Sequence, residues 1–172
     1  MPSGKVHDQI TIVGAALAAP AWWLLTPPPH DWTVGATLIG ATLFSGLMLS
    51  PDLDLNSSIY RRWGPLRFLW WPYQKLIPHR SHLSHSLVLG PALRIAYFLF
   101  VCWVLFRVVT WGLSHFISFD RNALSEHYAG TVLGLYQLYP QHTIMAAVGI
   151  FVGGFLHVGA DMVGSAMRRK RR

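Results

Sequence analysis

The sequence predicts an all-α protein, an integral membrane bundle of about four transmembrane helices forming a single domain over residues 1–172. Three observations predict it. Hydrophobic residues make up 52% of the chain and charged residues 12%, about half the charged share of a typical soluble domain. Four long apolar segments approach the roughly 20 residues that a bilayer-spanning helix needs. The basic residues fall almost wholly on one side of those segments, as the positive-inside rule requires.

The first segment runs from Gln9 to Leu25, with Pro20 inside it, and is stopped by Pro27-Pro28-Pro29, because proline lacks the amide donor and clashes within a helix. It is read as retained, since no clean small-residue cleavage site follows it. The second runs from Thr33 to Leu49 and is rich in Gly, Ala and Thr, small residues that let membrane helices approach closely. The third, Leu87 to Leu113, is aromatic and interrupted by Arg94 and Arg107, each of which either snorkels or faces the bundle. The fourth runs from Thr143 to Val163 around Gly149, Gly153 and Gly154. A short helix is expected near Asn122–Tyr136, in the segment before it.

With a cytoplasmic N-terminus, segments 1–8, 50–86 and 164–172 lie inside. They carry Lys5, Arg61, Arg62, Arg67, Lys75, Arg80 and the five residues of the tail 168–172, whereas the outside segments carry Arg121 alone. This split places both termini in the cytoplasm and the chain in the bacterial inner membrane. The tail also accounts for much of the net charge of +7. No basic-aromatic nucleic-acid motif accompanies it, so no nucleic acid partner is expected. Cys102, the one cysteine, excludes a disulfide framework within the chain and packs as a small hydrophobe.

Loop 50–86 interleaves Trp63, Trp70, Trp71 and Tyr73 with Arg61, Arg62, Arg67 and Lys75, a mixture suited to the lipid headgroup layer. Pro65 and Pro72 break it into pieces. It either rests on the bilayer or guides a lipid substrate toward the histidines that follow.

Those histidines are the densest polar feature of the chain. Residues 78–86 read Pro-His-Arg-Ser-His-Leu-Ser-His-Ser, and neutral imidazoles are common ligands of transition metals. Three other polar pairs lie at ends of apolar segments on the same predicted face: His7-Asp8, Asp52 with Asp54, and His157 with Asp161. The spacing of four in the last pair puts both side chains on one helix face. His7, Asp8, Asp52, Asp54, His79, His85, His157 and Asp161 are therefore the expected metal ligands at the cytoplasmic helix ends. They suffice for two, and up to three, zinc-like divalent ions. Each pair also has a duller use: Asp8 as a helix cap, Asp52-Leu53-Asp54 as a capped turn, His157–Asp161 as a hydrogen-bonded pair. His82 is read as a surface residue, and His115, His127 and His142 as lying on the opposite side.

Pro51-Asp52-x-Asp54, His79-Arg80-Ser81-x-x-Ser84-His85-Ser86, His157-x-x-x-Asp161 and the early His7 together resemble the membrane-bound metal-dependent hydrolases of bacteria, the YdjM-like group. The opening Pro2-Ser3-Gly4-x-x-His7-Asp8 is similar to its metal-binding branch. The resemblance implies a helical membrane protein with distant kinship to zinc-dependent phospholipase C and the P1-type nucleases, which cleave phosphoesters. His82 falls outside that pattern.

Three functions are open at this point. A phosphoester hydrolase would use Asp52 or Asp54 as base and Arg80 against developing negative charge, with Asp54 and Arg80 the catalytic candidates and membrane lipids among its partners. Metal transport or storage needs a polar path, for which the second segment offers only Thr37, Thr42 and Ser45. A purely structural metal would pin the helix ends together.

Overall fold

A computed structural model describes residues 4–77, 81 and 86–169. The described chain is helical, without strands. Helix α1 spans Gly4–Leu25, α2 Trp32–Met48, α3 Ser58–Arg62, α4 Trp71–Leu76, α5 Leu89–Leu113, α6 Arg121–Leu138 and α7 Pro140–Arg169, with 3-10 turns at Pro51–Asp54 and Gly64–Trp70. Four stretches are long and apolar enough to cross a membrane: Gly4–Leu25, Trp32–Asp54, Leu89–Leu113 and Pro140–Met167.

The apolar segments expected from the sequence are all helical, but two run further than expected. Helix α1 begins before His7, so His7 and Asp8 lie within its first turns instead of preceding it. Asp8 is thus no cap. Helix α7 covers 30 residues, or about 45 Å, and continues well past Asp161. Asp31 caps α2 by accepting from the Thr33 amide at 2.9 Å and the Thr33 hydroxyl at 2.6 Å. These bonds hold its carboxyl below the usual range, because they favour the charged form.

Glycine decides how α2 meets α7. A Cβ at Gly149 would lie 2.6 Å from the Leu38 carbonyl oxygen, and one at Gly153 would lie 2.6 Å from that of Thr42. Only hydrogen side chains admit the α2 backbone this closely, and Ser45 Oγ donates to the Ile150 carbonyl at 2.6 Å across the same contact. Helix α1 closes on α2 by the same means, since Gly46 receives Thr11. Trp22, Val34 and Leu38 pack between α1 and α2 towards their other ends.

The aromatic loop after α2 does more than rest on a surface. Trp70 and Tyr73 are buried with Leu49, Leu53 and Ile59, and Tyr97 and Phe98 of α5 cover them. Trp63 Nε1 donates to the Met48 carbonyl at 3.0 Å, and Gln74 Nε2 to the Leu53 carbonyl at 2.9 Å. These bonds fasten the loop back over the 3-10 turn that carries Asp52 and Asp54. Leu66, Phe68, Trp71 and Leu76 remain exposed. The loop therefore combines a core wedge with an apolar outer face.

Candidate metal centre

Three of the expected ligands meet. His7 from α1 and His157 and Asp161 from α7 offer donor atoms all within 4.8 Å of one another. The His7 and His157 rings stack with centroids 3.9 Å apart and planes 15° from parallel. Asp161 divides its oxygens between them: Oδ1 lies 3.3 Å from His7 Nε2 and Oδ2 lies 3.8 Å from His157 Nε2. Asp52 approaches from the turn after α2, with Oδ2 3.6 Å from the same His157 nitrogen.

The glycine contacts explain this convergence. His157 lies about one turn beyond Gly153 on α7, and Asp52 follows the end of α2. Drawing the two backbones together at Gly153 brings the helix and the turn face to face. Helix α1, held to α2 at Gly46, then supplies His7 opposite His157.

The three residues fit a metal by burial, bonding and spacing. His7, His157 and Asp161 are 3%, 1% and 8% exposed. Among the described residues, no hydrogen bond reaches either ring nitrogen of His157 or either oxygen of Asp161. Buried polar atoms without partners are costly and rare. Zinc-like ions sit about 2.0–2.2 Å from nitrogen and oxygen, so adjacent donors on one tetrahedral ion lie about 3.4 Å apart. The separations of 3.3, 3.6 and 3.8 Å bracket that value.

The other expected ligands are placed differently. Asp8 is not in this group; its Oδ2 accepts from Arg62 Nη2 of α3. Asp54 is buried, 6% exposed, and also stands outside the group. His79, Arg80, His82 and His85 lie outside the described residues. His142 takes up the opposite end of the α2–α7 pair, 2.8 Å from the Thr33 hydroxyl, and His115 Nδ1 is 2.9 Å from the Trp111 carbonyl.

The placement of Asp8 gives a direct expectation. Asp8→Asn should leave bound metal unchanged by elemental analysis. Its stability should fall by less than about 1 kcal/mol, the range for ion pairs near the surface. Loss of metal in this variant would return Asp8 to the ligand set.

The sequence left the direction of both Arg94 and Arg107 open, and Arg94 is the one that turns inward. It is 1% exposed, and its charge bears on Asp54, on Asp52 and on the Tyr73 phenol. Burial pushes the Tyr73 hydroxyl up in pKa, against the opposing pull of Arg94. Arg107, in the same helix, is exposed. The signal was present in the helical period: thirteen residues turn a side chain by about 220°, so the two arginines cannot share a face.

The sequence profile of a family described as "Uncharacterized metal-binding protein (DUF2227)" matches residues 2–171. An "Uncharacterized protein" of Aquifex aeolicus (strain VF5) is 29% identical over 154 residues, which is 85% of this chain and 99% of that one. No solved structure matches the chain significantly.

Proposed function

This chain belongs to that family of metal-binding proteins, and from this premise we propose a membrane-embedded, metal-dependent hydrolase that cleaves a phosphoester at the cytoplasmic face of the bacterial inner membrane. The observation that carries the reading is the donor set. His7, His157 and Asp161, with Asp52 beside them, offer two imidazoles and carboxylate oxygens. Structural zinc sites are typically rich in cysteine, whereas two histidines and a carboxylate are a recurrent catalytic set. The kinship proposed with the YdjM-like hydrolases rests on the motif order around these residues.

In this reading the three clustered residues hold one zinc-like ion, and His79 and His85 bring donors for a second. Asp161, with an oxygen toward each histidine, would hold the ion together with them. A divalent cation held there would supply Lewis acidity and lower the pKa of a bound water. Asp54, buried near the charge of Arg94, would be the residue to accept a proton from water. Arg80 donates to the phosphoryl oxygens as negative charge develops. Membrane insertion is supported by the apolar exterior: only 6% of the most apolar stretch of Leu89–Leu113 is buried, leaving a surface that lipid would cover.

One observation favours a structural metal instead. The clustered residues are almost fully buried, as in a closed site that pins helices together. Metal analysis of the purified protein, paired with a screen of lipid and nucleotide phosphoesters, separates the two. The hydrolase reading expects metal-dependent turnover. It also expects Arg80→Ala to keep its metal but turn over about 100-fold more slowly, the usual effect of losing one such donor. Inactivity at full metal occupancy would retire it.

A further inference from the structure

We propose that Arg94 is the positioning residue for the carboxylate side of the metal centre: its buried guanidinium ties the turn that carries Asp52 and Asp54 to α7, and so keeps Asp52 against His157. This rests on the metal centre alone, and not on the hydrolase reaction.

An ionisable side chain inside an apolar helix is costly and marks function by default. Arg94 is the sixth residue of α5 and 1% exposed. The other buried residues of α5 are Gly90, Pro91 and Thr110, so apart from Thr110 the helix is buried only around its first turns. Three elements converge there on the guanidinium. The first is α7, where a Cβ at Gly154 would lie 3.7 Å from Arg94 Nη2 and 2.7 Å from Pro91 Cγ. The second is α4, whose Tyr73 is buried and whose phenol the Arg94 side chain reaches. The third is the 3-10 turn Pro51–Asp54, since the charge of Arg94 bears on both Asp54 and Asp52. Gly154 precedes His157 by three residues, which places both on one face of α7. The arginine is therefore seated about one helical turn from the histidine that Asp52 approaches at 3.6 Å.

Two effects of Arg94 on a bound cation oppose each other. As a charge it repels the ion. As an anchor it offsets the mutual repulsion of Asp52, Asp54 and Asp161, and so lets the ligands stay together. Burial decides for the anchor. Removing one charge from a buried group of opposite charges strands the others in a low dielectric. Asp54, 6% exposed, can then reach water only by drawing its turn outward. Asp52 lies two residues earlier in the same turn and would leave His157 with it.

Zinc affinity separates the two effects by sign. The full-length protein, in detergent, would be titrated with zinc against a competing chelator. Arg94→Met keeps a long unbranched side chain and loses the charge. It should bind zinc about 10- to 100-fold more weakly than wild type, the usual cost of losing a residue that orients a ligand. Arg94→Lys keeps the charge without the planar fork and should fall between the two. In an Asp52→Ala background neither replacement should weaken zinc binding further, because the ligand that Arg94 positions is gone. A role confined to general stability would weaken binding equally in both backgrounds, and that result would overturn the proposal. So would zinc binding by Arg94→Met equal to wild type or tighter, because Arg94 would then do no more than repel the ion. Should Arg94→Met not fold, Arg94→Lys carries the same comparison. A lysine variant that binds zinc as wild type does, or whose loss survives Asp52→Ala, would contradict the assignment. Turnover enters none of these measurements, so an inactive protein would retire the hydrolase reading and leave the role of Arg94 standing.

Discussion

Replacing His157 by alanine should remove the metal from the clustered ligands and lower thermal stability in the same step. Asp52 and Asp161 both lie within 4 Å of His157 Nε2, and the ring stacks on His7. Losing a partner that merely orients a ligand typically costs 10- to 100-fold in affinity, and losing a direct ligand at the centre of the cluster should cost more than about 100-fold. The stability loss follows from linkage. A ligand at about 100 times its dissociation constant stabilises the native state by about 2.7 kcal/mol, and that contribution disappears with the metal. Chelation should therefore lower the Tm of wild type and leave that of His157→Ala unchanged. A variant that keeps its metal, or a wild type whose Tm ignores the chelator, would count against the site.

The second large effect belongs to a residue that touches no metal. In Gly153→Ala the new methyl would fall 2.6 Å from the Thr42 carbonyl oxygen and 2.8 Å from the Gly46 amide nitrogen. Both are backbone atoms, so the helices must part. Overpacking of this kind costs about 1–3 kcal/mol and occasionally more. Parting α2 from α7 also moves Asp52 away from His157, so metal affinity should fall along with stability. Gly159→Ala, where the added methyl meets open space, is the control that should change neither. Equal behaviour of the two variants in unfolding and zinc-binding measurements would show that the close approach does not assemble the site.

Helix positions were legible because long apolar runs free of turn residues, of a length beyond that of strands, leave few alternatives to a helix. The ends were less legible. Pro2-Ser3 just before Gly4 are residue types that mark a helix start, but the polar His7-Asp8 pair reads as the outside of a helix when it is the inside. The i, i+4 spacing of His157 and Asp161 was readable as one face, whereas their meeting with His7 is a contact between distant helices. The partner of Asp8 could not be read, since Arg62 is 54 residues away and nothing local distinguishes a carboxylate aimed at a guanidinium from one aimed at a metal. The glycines of α7 suggested close packing. Which backbone they receive depends on register between two helices a hundred residues apart, which a single sequence does not encode locally. The aromatic loop misled for a related reason: tryptophan suits both a headgroup layer and a core, and Trp70 is buried while its neighbour Trp71 is exposed.

The central claim is that His7 and His157 hold a metal together with Asp161. X-ray absorption at the zinc edge of the zinc-loaded protein tests it most directly. Wild type should show a shell of nitrogen and oxygen at about 2.0–2.1 Å, with outer scattering from at least two imidazoles. His7→Ala should lose one imidazole from that pattern. A metal-loaded wild type with no imidazole scattering, or a His7→Ala spectrum identical to wild type, would contradict it.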